Sequence, residues 1–213
     1  MPAPYAVTPS QTDIVNGALE DLGSRTRINA IDDTGRIAAS ARTHWASVVR
    51  ELLPKHTWNF AIRRQNLPLQ EALAEGAGWL YAYGLPGDCA RWLPPSHEDG
   101  DRFFDGEEEG GRILTDREAP LPVRFISYEL GSDTSKWPAH FAAAVRAELA
   151  ARMADTVTQS ETVVDRTRKL AQAALAAAKR ADGLSTGRTS RRQVTVKSDW
   201  LGARERPYQR YGR

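Results

Sequence analysis

The chain opens in a helical rhythm. In QTDIVNGALEDLG, Ile14, Ala18, Leu19 and Leu22 recur on one stripe, Thr12 or Asp13 can cap the start, and Gly23 sits where a left-handed stop falls. After a polar turn around Asp32 to Gly35, Ile37, Ala41, Trp45, Val48, Val49 and Leu52 trace a longer helix. Pro54 predicts its end, because proline and the residue before it both resist the helical conformation. From Lys55 to about Tyr128 the pattern changes. Prolines and glycines punctuate the runs WLYAYGLP, RWLPP, RFF, RILTD and PVRFISY, which predicts short strands joined by turns. Among them, HEDGDRFFDGEEEGG is acidic and glycine-rich and predicts an exposed hairpin tip or loop.

The last third is helical again. Phe141, Val145, Leu149 and Met153 recur every four residues, and Ala142, Ala143 and Ala150 widen the stripe. Pro138 suits the first turn of this helix, and its arginines are expected to face outward. A second helix is predicted from near Ser160 to Asp182, with Val164, Leu170, Ala171, Ala174, Leu175 and Ala178 apolar and Gly183 closing it. Alanine-rich faces let helices approach closely, which suits a tight bundle or a ring of repeated copies. The expected fold class is α+β, an antiparallel helical bundle with an inserted β-rich subdomain and an extended C-terminal tail. Its boundaries are 1–54 for the N-terminal helices, 55–130 for the β-rich insertion, 131–182 for the C-terminal helices and 183–213 for the tail.

Composition narrows the class. An apolar fraction of 41% and a charged fraction of 26% are those of a protein with a real core. No apolar run approaches the ~18 residues of a membrane span, and the start shows neither the basic cluster nor the apolar stretch of a signal peptide. The one cysteine, Cys89, excludes an internal disulfide and a multi-cysteine zinc site. A soluble intracellular protein without a structural metal is expected. Net charge is +2, but residues 183–213 hold eight basic residues against two acids, net +6, which leaves −4 for residues 1–182. An acidic body with a basic end favours two separate contact surfaces.

Candidate chemistry is sparse. His44, His56, His97 and His140 form no ligand pair at helical spacing, and Cys89 lacks any sequence signal for an activating partner, so an inert buried thiol is expected. No phosphate loop, nucleophile elbow, HExxH or CxxC is present. The seven acids of the glycine-rich loop do not have the spacing of a calcium-binding loop. The reading is of a protein that is not an enzyme and takes no cofactor.

Four stretches in order, RELLPKHTWNFAIRRQ, WLYAYGLPGDCARW, GGRILTDREAPLPVRFIS and WPAHFAAAVRAELAARMADTVTQS, resemble the head-to-tail adaptor family of short-tailed bacteriophages, also called tail tubular protein A. The resemblance runs from about Thr12 to Asp182 and departs from the family in the acidic loop around Glu107 and in the exact tail. It implies a structural protein of the virion, assembled in the host cytoplasm. Such proteins form a ring, typically of twelve copies, that joins the portal to the tail nozzle and extends the DNA ejection channel without sequence-specific binding. The resemblance further implies that the C-terminal segment reaches along the portal.

The residues can be read physically beside this. Trp58 and Phe60 are read as packing residues that pin the strands onto the helices, or as a subunit interface. Arg63 and Arg64 are either a solvated pair or a bridge to a neighbouring subunit's acids. Glu107, Glu108 and Glu109 are a solvated tip, or lumen-facing acids that repel passing phosphates. In the tail, Trp200, Leu201, Tyr208 and Tyr211 are suitable anchors for portal docking, with Arg191, Arg192, Arg204 and Arg206 pairing with a partner's acids. VTVKSDW alternates as an added strand does. The competing class is a nucleic-acid-binding protein whose basic aromatic tail grips phosphates and stacks on bases.

Overall fold

The computed structural model describes residues 9–74, 76–96 and 103–185. Among these the chain is a mixed α/β protein with five α-helices and two antiparallel sheets. The first helix, α1 (Gln11–Asp21), begins one residue ahead of the expected cap. Ser10 caps it instead of Thr12 or Asp13. The Ser10 hydroxyl accepts from the Asp13 N–H at 3.1 Å, and the Asp13 carboxylate accepts from the Ser10 N–H at 2.9 Å. That reciprocal pair satisfies two donors at the helix start. α2 (Arg36–Leu52) ends where Pro54 predicts, in a short 3-10 turn at Leu53–Lys55.

The central segment folds into strands β1 (Ile62–Leu67), β2 (Glu71–Ala72), β3 (Tyr81–Gly84), β4 (Cys89–Leu93), β5 (Gly106–Glu109), β6 (Arg112–Thr115) and β7 (Leu121–Ser127). The first sheet has the order β1-β7-β4 and the second β2-β3-β6-β5. One expectation changes here and another is narrowed. Phe103 and Phe104 lie outside any strand, and Phe104 is buried, its ring stacked on Trp92 at 6.2 Å. The glutamate run lies in an exposed hairpin, the first of the two alternatives, as a strand leading into its turn and not as a loop. β5 pairs with β6 across Gly110 and Gly111, both at positive φ, a turn geometry that only glycine-like residues enter cheaply.

A short helix α3 (Tyr128–Ser132), with no counterpart in the sequence pattern, follows β7. It precedes α4 (Ala139–Thr158) and α5 (Glu161–Ser185). α5 runs through Gly183, so that glycine does not close it. α4 contacts α1, α2 and α5, and its Phe141, Val145, Leu149 and Met153 are all fully buried. Two of its arginines reach neighbouring helices rather than solvent alone. Arg146 is bidentate to Asp21 of α1 at 2.7 and 2.5 Å, and Arg152 is bidentate to Glu51 of α2 at 3.0 and 2.5 Å.

The first sheet divides the interior. Ile126 and Leu93 join the core built by the helices. On alternate positions of the same sheet, Leu67, Leu121, Val123 and Phe125 pack with Tyr83 and Ile113 of the second sheet. The period of two along a strand produces this division, sending neighbouring residues such as Phe125 and Ile126 to opposite faces. No helix of the described residues is long and apolar enough to cross a membrane.

Candidate functional site

Two features meet where the helices join the first sheet: a buried carboxylate and an open basic groove. The carboxylate is Asp182, in the last turns of α5 and 2% exposed. It continues the apolar stripe of Ala171, Leu175 and Ala178, so the helix drives it inward. Both its oxygens accept from the backbone N–H of Asn59 at 3.3 Å, and Asn59 Nδ2 donates to the Asp182 carbonyl at 3.0 Å. Asn59 stands in the 3-10 turn Asn59–Ala61 that leads into β1.

His56 Nε2 lies 3.3 Å from one Asp182 oxygen, and His140 Nε2 lies 3.5 Å from the other. His140 Nε2 is buried and makes no hydrogen bond, since its approach to the carboxylate lacks the geometry for one. Burial pushes the His56 imidazole below its ordinary value, and the Asp182 carboxylate opposes that shift without reversing it. His56 is therefore neutral at neutral pH. The node ties the end of α2, the first turn of α4 and the end of α5 to the first sheet. Chemically it orients an imidazole. No hydroxyl or thiol nucleophile is bonded to either histidine among the described residues, so the node lacks the nucleophile–base pair of covalent catalysis.

Beside the node lies a groove of about 980 Å³ that includes His56, Thr57, Arg64, Arg91, Arg124 and Gly183 in its lining. The sheet register explains the cluster. Arg64 of β1 is the direct cross-strand partner of Arg124 of β7, and Leu93 of β4 also pairs with Arg124, which places Arg91 two positions along on the same face. Like charges opposite one another are destabilising in isolation. Arg91 donates to Thr57 Oγ1 at 2.7 Å, whereas Arg64 is exposed and makes no ion pair among the described residues. No described residue lining this groove is acidic.

The other expected site residues fall in separate places. Trp58 is fully buried, its Nε1 donating to the Leu52 carbonyl at 3.0 Å and its ring meeting Phe141 edge-on at 4.8 Å. Phe60 is half-buried and touches the same two rings. Arg63 and Arg64 are parted by strand alternation. Arg63 turns to its own chain's acids, Asp88 at 3.0 Å and Glu129 at 2.8 Å, while Arg64 turns to the groove.

Glu107, Glu108 and Glu109 stand exposed on β5, an edge strand. Cys89 is half-buried, and burial with the nearby Glu108 and Asp88 carboxylates pushes its thiol up to about 11. Arg191, Arg192, Trp200, Leu201, Arg204, Arg206, Tyr208 and Tyr211 lie outside the described residues. Sequence spacing missed the Asp182 node and the groove. The only trace of the node was an acid on an apolar helical stripe, and the groove's arginines come from three strands whose pairing is non-local. No protein-family model matches the chain, and no curated protein matches it.

Proposed function

We propose that the chain is a structural subunit of a phage head-to-tail adaptor, a ring that joins the portal to the tail nozzle and extends the DNA channel. On this reading the fold is an antiparallel helical bundle with an inserted β-rich subdomain and an extended C-terminal tail. The observation that carries it is the way the chain returns. Helices on both sides of the β-rich segment share one core, and α5 runs back to the first sheet before the basic, aromatic residues follow. The resemblance of the four stretches noted above supplies the role. The partners are further copies of the chain, twelve in the family's usual ring, together with the portal and the nozzle. The site of action is the virion's head–tail junction.

The test is co-sedimentation with the portal rings of the same phage, using the full chain and a truncation after Ser185. Binding of the full chain in fixed stoichiometry and loss with the truncation support the reading. A second reading, nucleic-acid binding, is favoured by the arginine groove beside the start of the basic segment. Salt separates the two. Phosphate contacts lose affinity by orders of magnitude between low and moderate salt for six or more charges, while an aromatic-anchored protein contact loses much less.

A further inference from the structure

We propose that the arginine groove receives the acidic hairpin of a second copy of this chain, Glu107 and Glu109 of one copy seating against Arg64 and Arg91 of the next. The inference deepens the adaptor reading and rests on it for the requirement that copies meet.

Charge complementarity selects the occupant. The groove presents Arg64 and Arg91 and, among its described lining residues, no acid. The hairpin presents three consecutive glutamates, all exposed, with no ion pair among the described residues. Strand geometry matches them. Glu108 pairs with the fully buried Ile113 and shares its face, so Glu107 and Glu109 lie together on the other face, ~7 Å apart. The arginines sit on adjacent strands and two positions along, a spread of roughly 5 to 12 Å between backbones that long side chains bridge easily. Among the described residues β5 is also an edge strand, the last in the order β2-β3-β6-β5.

The contact must run between copies. β5 belongs to the second sheet, which packs on the opposite face of the first sheet from the groove, so one chain cannot bring its own β5 to its own arginines. Groove and hairpin are different surfaces, and a contact between unlike surfaces closes into a ring when its rotation permits. The chain's own basic end carries the same sign as the groove, with eight basic residues against two acids, and is the poorer occupant.

Charge reversal tests this directly. Arg64→Glu with Arg91→Glu gives one variant, Glu107→Lys with Glu109→Lys a second, and all four changes together a third. Sedimentation of the full chain at high concentration and low salt reads association, with thermal melts as the control for folding. The wild type associates, more weakly as salt rises, and each two-site variant associates at least about tenfold more weakly. Mixing the two variants restores association, since each groove then meets an opposite hairpin, and the four-site variant restores it alone. If Arg64→Glu with Arg91→Glu does not fold, Arg64→Gln with Arg91→Gln replaces it, with the same expected loss.

A wild type that stays monomeric, association unchanged by reversal, or a failure of both restorations overturns the proposal. Arginine variants that associate normally but lose salt-sensitive DNA binding assign the groove to nucleic acid instead. Portal co-sedimentation that survives the reversals overturns this contact while leaving the adaptor reading intact, whereas its absence in the wild type defeats the adaptor reading itself.

Discussion

Removing the Asp182 carboxylate tests whether the node holds the helices to the first sheet. In Asp182→Ala the Asn59 N–H loses both its acceptor oxygens, 123 residues away in sequence, and His56 and His140 lose the charge they face. A half-buried donor stripped of these acceptors and the loss of the charge facing the two histidines together cost a few kcal/mol, and the relief of desolvating the carboxylate offsets part of that, so a net loss of about 2–3 kcal/mol is expected. For a chain of this length each kcal/mol lowers Tm by ~2–4 °C, giving a drop of roughly 5–10 °C.

The effect has a pH signature. The folded His56 imidazole titrates below its unfolded value of 6.5, so the unfolded chain binds more protons in the window between the two, and stability falls as pH drops through it. The carboxylate is the main group pulling His56 back up. Without it the window widens, and the stability gap between wild type and variant grows on acidification. Urea unfolding followed by circular dichroism at pH ~7 and ~5.5 measures both quantities. A variant within about 0.5 kcal/mol of wild type at neutral pH, or a gap that shrinks with acid, refutes the reasoning.

Other substitutions probe the packing around the node. Trp58→Ala empties a fully buried site and strands the Leu52 carbonyl, so chemical denaturation is expected to report a loss of about 3–5 kcal/mol, with Trp58→Phe recovering most of it. Gly131→Ala places a methyl group against the Leu53 side chain inside the core and is expected to cost about 1–3 kcal/mol, read by thermal melting. Cys89, with its thiol pushed up to about 11, is expected to react with a thiol reagent at neutral pH on the order of a hundredfold more slowly in the folded chain than in urea. Equal rates would contradict that environment.

The helices were legible because their evidence is local. Phe141, Val145, Leu149 and Met153 announce a buried stripe by spacing alone, and all four are fully buried. The cap of α1 is Ser10, which stands ahead of the apolar stripe, whereas the stripe itself points to Thr12 and Asp13. Gly183 suggested a stop, yet a glycine costs a helix only about 1 kcal/mol, and the bonds between Asp182 and Asn59 hold the turn in place. β5 was hidden for a different reason. Its glutamates are exposed on both faces, so no alternation marks the strand, and the pairing is imposed by β6 across the Gly110–Gly111 turn. Of the site, the sequence exposed the residues but not their meeting. His56, His140 and Asp182 converge only because α4 and α5 pack together over the end of α2.

The central claim is that this chain builds a ring on a portal. Electron microscopy of portal rings incubated with the full chain tests it most directly. The account predicts a second ring, coaxial with the portal, built from an integral number of copies and absent when residues after Ser185 are removed. Bare portals beside unassembled protein, under conditions where both are folded, would contradict it.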